Sequence, residues 1–298
     1  MQLEDPVILE VGAGSGELAA TILGRLDELD QPPAAYQILE VSADLRARQR
    51  IRLRPWGQMV QWLDALPENG FQGVVLANEV VDALPVTRFV KHDGQIFKLG
   101  VGRGAEALRW VRGPADAPLD AAVARIELQR GAPLPDGYQS EFCSRLPAWL
   151  AALAAPLTRG ALLFIDYGLP RREYYHESRY QGTLICHYRH RAHDDPFLWP
   201  GLQDLSAWVD FSHLAGAAVD CGLEIAGYTT QAQFLLHGGI ADLLGAHNDA
   251  AAGLTEAAAV KTLILPGEMG ERFKVILLSR DPDGEVFQLP GRDLRNRL

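Results

Sequence analysis

Cysteine is scarce in this chain. Cys143, Cys186 and Cys221 are the only three among 298 residues, and no two of them form a CxxC pair. A disulfide-stapled fold is excluded. Widely spaced thiols, odd in number, fit a reducing compartment in which they stay unpaired and mostly buried. Long apolar runs are missing as well. The alanine-rich stretch from Ala241 to Leu265 is broken by Asp242, His247, Asn248, Asp249, Glu256 and Lys261, and no run reaches the ~18–20 apolar residues that span a bilayer. The acidic start, Met1-Gln2-Leu3-Glu4-Asp5-Pro6, lacks the apolar centre of a signal peptide. Positive charge is in deficit: 28 basic residues face 38 acidic ones, for a net charge of −10. Such a chain has no general electrostatic attraction to nucleic acid, and a cationic partner such as an arginine-bearing peptide suits it better. Lysine supplies only four of the 28 basic residues, which reads as a coding bias. Together these absences predict a soluble, cytoplasmic protein that neither inserts into a membrane nor binds nucleic acid.

What remains is an ordinary globular mix, 48% apolar and 22% charged, in a chain long enough for a substantial core. Short apolar runs recur at Val7–Val11, Tyr36–Val41, Val74–Ala77, Leu162–Ile165, Leu223–Tyr228 and Phe273–Leu278, with a weaker one at Met59–Leu63. Near-continuous apolar strands suit a sheet covered on both faces. Helical spacing lies between the first of them. Leu18, Ile22 and Leu26 recur every four residues beside Ala19 and Leu23, and Ser42 is placed to cap the helix carrying Leu45. The alternation predicts an α/β fold with a parallel sheet and right-handed crossovers. Further on, Val86–Val111 reads as strands turning at Asp93-Gly94 and Gly102–Gly104. Gly113-Pro114 and Ala132–Gly137 read as loops, and Phe142–Leu157 as a helix interrupted by Pro147. Gly168–Asp204 reads as a long aromatic and basic loop, and Asp281–Leu298 as a polar tail around a weak apolar patch.

The sharpest local signal is Glu10-Val11-Gly12-Ala13-Gly14-Ser15-Gly16-Glu17, which follows an apolar strand and opens an amphipathic helix. Glycines there permit a tight turn and close approach of a ligand to the backbone. The dinucleotide pattern GxGxxG would need glycine where Glu17 stands, and no GK[ST] follows, so an NAD site is disfavoured and a P-loop excluded. The spacing is Glu-x-Gly-x-Gly-x-Gly, similar to the first motif of class I methyltransferases that use S-adenosyl-L-methionine (SAM). The cationic methionine end of SAM favours a nearby carboxylate such as Glu10. Glu40, ending the second strand, can accept both ribose hydroxyls. Asp64, after the third strand, is placed for the adenine amino group, although a plain surface acid would look the same.

The run Leu76-Ala77-Asn78-Glu79-Val80-Val81-Asp82-Ala83-Leu84-Pro85-Val86 resembles the signature of the MidA-like methyltransferases. That family includes a mitochondrial assembly factor that methylates an arginine in a respiratory complex I subunit. Similar stretches are Gln181–Pro196 with His187-Tyr188-Arg189-His190-Arg191-Ala192-His193, Gly201–Leu214 with Trp208-Val209-Asp210-Phe211, and Met269-Gly270-Glu271-Arg272-Phe273. The resemblance implies a class I methyltransferase sheet with strand order 3-2-1-4-5-7-6 and the last strand antiparallel. It also implies SAM as cofactor and a protein arginine as acceptor. One methyltransferase domain is expected over 1–298. A SAM-binding half spans 1–85, an insertion 86–160, and the second half of the sheet 161–280, with a tail from 281 to 298. The family carries a further helical region ahead of its first strand, so a chain starting near Val7 is expected to close its pocket less completely.

Methyl transfer from a sulfonium is an in-line displacement that depends on near-attack geometry. An arginine acceptor stays protonated and delocalised at neutral pH. Carboxylates can hold its fork and take the departing proton. Glu79 and Asp82 follow the fourth strand, at the sheet edge where such folds bind ligands. Glu79 is assigned acceptor binding or proton removal, Asp82 a supporting role, Asp166 a pocket carboxylate, and Asn78 a cofactor contact. Tyr167 is expected to wall the acceptor site, His190 to serve substrate binding from the long loop that covers it, and Asp210 and Phe211 to serve it by anchoring that loop, with plain packing at a helix N-terminus as the alternative. His187, His190 and His193 with Asp194 and Asp195 could suggest a metal, yet the spacing suits no common zinc motif and the chemistry needs none; no metal is expected. Three other readings stay open: a small-molecule methyltransferase, an assembly chaperone that binds SAM with little catalysis, and an oxidoreductase.

Overall fold

In the computed structural model, residues 3–105, 107–189, 191–243, 250–281 and 288–298 are described. Seven strands form the main path of an eight-stranded sheet: β1 (Val7–Val11), β2 (Ala35–Leu39), β3 (Val60–Leu63), β4 (Phe71–Asn78), β5 (Leu157–Leu169), β6 (Glu224–Thr230) and β7 (Phe273–Arg280), with the short strand Val209–Asp210 paired in parallel to the end of β5. Their spatial order is β3-β2-β1-β4-β5-β7-β6. Strands β1 to β5 run parallel, and β7 is antiparallel to both β5 and β6. This is the order that the family resemblance implied. All seven apolar runs became strands, shifted or extended at their ends by tertiary pairing.

The chain groups into two compact units. The first comprises Met1–Val80, Ala148–Tyr167 and Ala215–Arg297 and carries most of the main sheet. Helix α1 (Glu17–Glu28) packs Ala19 and Leu23 into a cluster with Tyr36, Ile38, Leu53 and Val60. The buried line therefore runs through Ala19 and Leu23, and Leu18, expected on the apolar stripe, is 37% exposed. Helix α2 (Ala43–Arg52) is capped by Ser42, whose hydroxyl accepts from the Leu45 N–H at 3.3 Å. Of the expected tail, the described residues 288–298 are docked rather than loose. Leu294 is buried, its N–H donates to the Tyr228 carbonyl at 2.7 Å, and Thr229 donates to the Arg292 carbonyl. The first of these bonds occupies a backbone carbonyl of β6, the edge strand.

The second unit comprises Val81–Pro147 and Gly168–Leu214. Four antiparallel strands lie in the order Leu108–Pro114, Gln95–Arg103, Thr87–His92 and Gln139–Phe142. The turn at Asp93-Gly94 has φ of 50° and 73°, the twist that a tight hairpin demands. Gly102 and Gly113-Pro114, read as turn and loop, belong to strands. The helix Ala117–Arg130 was not foreseen; it packs Leu119, Val123 and Ile126 against Phe89, Tyr138, Tyr174 and Tyr175. Pro147 lies in the first turn of the helix Leu146–Ala154, where a proline costs no helical hydrogen bond; it opens that helix instead of interrupting it. The expected loop at Gly168–Asp204 is partly ordered into a short helix, Arg171–Tyr174, and strands Ile185–Tyr188 and Arg191–His193, which pair together with Asp204–Ser206. Among the described residues, no helix is long and apolar enough to cross a membrane.

Candidate active site

Parallel register lines up the carboxyl ends of the central strands in the first unit. Val11 pairs with both Leu39 and Ala77, and Leu39 pairs with Leu63. Gly12, Glu40, Asp64 and Asn78 each follow directly, so they form one row across four strands. Asn78 pairs with Ile165, which puts Glu79 and Asp166 one step beyond that row. The Glu79 N–H donates to the Ile165 carbonyl at 2.9 Å and holds this register. Six residues singled out in the sequence thus meet on one sheet edge.

The glycine loop leaves β1 with the Gly12 N–H donating to the Leu39 carbonyl at 3.0 Å, and closes with Gly16 N–H to the Ala13 carbonyl at 2.8 Å. Gly12, Gly14 and Gly16 all have left-handed φ, at 68°, 53° and 76°. A Cβ on Gly12 would press on Val80 at 3.0 Å, and one on Gly16 on Gln49 at 3.2 Å. A Cβ on Gly14 would meet nothing within 4 Å, so the loop is open there.

Glu10 lies beneath the loop, 2% exposed, and its Oε2 accepts from the Tyr36 hydroxyl at 2.8 Å. Burial pushes its carboxyl up to about 7, with the Tyr36 bond acting in the opposite direction and the Glu40 charge adding to the rise. Glu40 is also buried. One oxygen accepts from the Ser42 N–H at 2.9 Å and the other from Gln49 Nε2 at 3.2 Å. Gln49 is fully buried on α2 and was missed in the sequence, where it stands among four arginines with no apolar pattern to mark it. Its Nε2 also donates to the Gly14 carbonyl at 2.8 Å, and its Oε1 accepts from Trp62 Nε1 at 3.0 Å. One amide therefore ties the glycine loop, the end of β2 and β3 together.

Asp64 is 89% exposed and bonds Arg46 at 2.7 Å. Glu79 is exposed with φ of 52°, a conformation uncommon outside glycine and often found where function requires it. Asp166 is 1% exposed, accepts from the Tyr167 N–H at 2.9 Å and pairs in register with buried Lys274. The Tyr167 ring packs edge-on against Phe273 at 5.6 Å.

In the second unit, Asp82 is buried and its carbonyl accepts from the Ala207 N–H at 3.1 Å. Asp210 caps the helix Phe211–Asp220 by accepting from the His213 N–H at 3.0 Å, and its other oxygen pairs with Arg171 Nε at 2.9 Å. Phe211 is fully buried at the start of that helix, a place for an anchor and not for a direct substrate contact. His190 lies outside the described residues. His187 and His193 sit on neighbouring antiparallel strands, opposite Ala192 and Cys186. Glu141, buried beneath Thr183, was also unforeseen; it accepts from the Thr183 N–H at 2.8 Å and pairs with Arg88 at 3.3 Å.

Residues 1–229 match the model of a family described as "Putative S-adenosyl-L-methionine-dependent methyltransferase". The chain belongs to that family. Its cofactor is SAM, and the residues fit it: the glycine loop is open at Gly14, and a buried, pre-oriented carboxylate ends β2. A protein from Burkholderia thailandensis solved with S-adenosyl-homocysteine (SAH) is 44% identical, with a TM-score of 0.87, over 96% of this chain and 75% of that one. The mouse mitochondrial protein arginine methyltransferase NDUFAF7 is 25% identical over 91% of this chain, and the human one 30% identical over 68%. The chain spans 66% of the mouse protein's length and 44% of the human protein's.

Proposed function

We propose that this chain methylates an arginine side chain of a polypeptide, a respiratory complex subunit by analogy with its mitochondrial relatives. The observation that carries the reading is the step of Glu79 and Asp166 beyond the cofactor row, two carboxylates on the sheet edge where the acceptor must enter. When bound, SAM supplies an electrophilic methyl group. Gly12, Gly14 and Gly16 give it backbone access, Glu40 takes the ribose hydroxyls, and Asp64 and Asn78 flank the adenosine. Glu10, with its raised affinity for a proton, sets the polarity under the loop.

Glu79 then binds the guanidinium fork by charge-assisted hydrogen bonds and concentrates its positive charge on the nitrogens away from the reacting one. As the C–N bond would form, the methyl–sulfur bond would break to release SAH, and Glu79 would accept the proton that the nitrogen loses. Asp166 holds the fork from β5, Tyr167 walls the slot, and Asp82 keeps the loop after β4 in place. Most of the acceleration comes from holding two reactants in line.

The reading is tested with methyl-labelled SAM and a lysate from a strain lacking the gene, followed by mass spectrometry of the labelled species. Label on an arginine of one protein is expected. Label confined to a small molecule or to another residue type would overturn the arginine assignment.

A further inference from the structure

The second unit holds a cavity of about 610 Å³ that the proposed chemistry leaves unused, within the size range of ligand pockets. Its floor is one face of the antiparallel sheet. Pairing of Arg88 with Leu99, Val101 with Trp110 and Arg103 with Leu108 puts Leu99, Val101, Leu108 and Trp110 on a common side. The opposite side carries Phe89, packed on the helix Ala117–Arg130. An antiparallel sheet with one face on a core normally turns polar residues outward. Here the outward face carries this apolar group beside Arg88, Arg103 and Arg112, and Val101 and Leu108 are 58% and 40% exposed.

Segment 194–206 forms the facing wall. Phe197 packs on Trp110 at 5.1 Å between ring centres, and Leu205 lines the cavity while 49% exposed. Leu198, Trp199 and Leu202 extend the apolar surface past the cavity along the same segment, farther than a small ligand needs. The segment also contains exposed Asp194, Asp195 and Asp204 and no lysine or arginine. The cation on the wall, Arg88, is paired with Glu141 and lies 4.9 Å over Trp110. The surface is apolar, with aspartates along segment 194–206 and Arg103 and Arg112 on the sheet face.

We propose that this cavity binds an apolar stretch of the acceptor polypeptide. The proposal rests on the reading of the acceptor as a polypeptide. Apolar side chains of the stretch would fill the cavity and cover the exposed apolar face.

The probe is a fluorescein-labelled, amidated peptide, Leu-Phe-Gly-Arg-Gly-Phe-Leu, read by anisotropy on the full chain with SAH present. Micromolar binding is expected, with a loss of about tenfold or more in Val101→Glu and Leu205→Glu, whose exposed positions tolerate charge in the folded chain. SAH affinity by calorimetry should stay unchanged in both. A control peptide with serine in place of leucine and phenylalanine should bind about tenfold more weakly. Equal binding by both variants, equal binding of the control, or no binding by the unaltered chain overturns the site. If the peptide binds in the cavity but arginine is never methylated, the docking site stands and the arginine reading fails. If the serine peptide is methylated with an unchanged KM, the reverse holds.

Discussion

The carboxyl edge of the main sheet and the outer face of the hairpin sheet stand in contrast. At the first, polar groups are buried and tied: Glu10 to Tyr36, Glu40 to Ser42 and Gln49, and Gln49 in turn to Gly14 and Trp62. At the second, apolar side chains such as Val101 and Leu205 stay in solvent. A satisfied polar network in a low-dielectric site is rigid and selective for one geometry. Exposed apolar area gains free energy only when a partner covers it, and tolerates many shapes. The contrast matches a fixed cofactor on one side and a variable polypeptide on the other.

The most severe test of that contrast is Gly14→Val. A branched side chain at φ of 53° is strained and fills the open side of the loop. SAH affinity should fall by roughly 100-fold or more, about 3 kcal/mol or more, while the peptide probe still binds. Unchanged calorimetry would break the cofactor half of the comparison. Glu79→Gln comes next. It should leave SAH affinity intact and lower kcat by roughly 10²–10³, the usual contribution of a positioned base. A fully active variant would remove Glu79 from the chemistry.

Glu10→Gln sharpens the polar side. Because the folded carboxyl titrates near 7 against an ordinary value of 4.5, the folded state holds the extra proton between those values. The unaltered protein therefore loses stability as pH rises from about 4.5 to about 7 and levels off above. The variant keeps an acceptor for Tyr36 and escapes that loss, so it should be more stable at pH 8 by up to about 3 kcal/mol. Denaturant unfolding across pH checks this, and a pH-independent difference would refute it. Gln49→Leu should have the mildest effect. It removes the Gln49 donor from the Gly14 carbonyl and from one oxygen of Glu40, costing about 1–3 kcal/mol of stability and about tenfold in SAH affinity. A double-variant cycle with Glu40→Ala separates positioning from mere packing: non-additive losses are expected, and strictly additive ones would count against a shared network.

Much of the first unit was legible in advance. The seven apolar runs, the Ser42 cap and the glycine loop are contiguous in the chain, and each signals its own conformation. The second unit was harder. The helix Ala117–Arg130 buries only Leu119, Val123 and Ile126 of its fourteen residues, so its apolar stripe is thin. Its capping signals, Asp116 before and Gly131 after, were available and overlooked. The strands Ile185–Tyr188 and Asp204–Ser206 are paired across sixteen or more intervening positions, and nothing local announces such a partner. Gln49 was invisible for a related reason: its burial follows from what packs above it.

The sequence by itself determined the strand–helix alternation, the glycine loop and the acidic positions at strand ends, because backbone preference and hydrophobic periodicity act over a few residues. The tertiary structure alone decided that Gly12, Glu40, Asp64 and Asn78 share a row with Glu79 and Asp166 one step beyond. It also decided that Gln49 joins three segments, that Phe211 is enclosed, and that an apolar cavity opens on the hairpin sheet. Those facts depend on register and on contacts between distant segments, which exist only once the chain has folded.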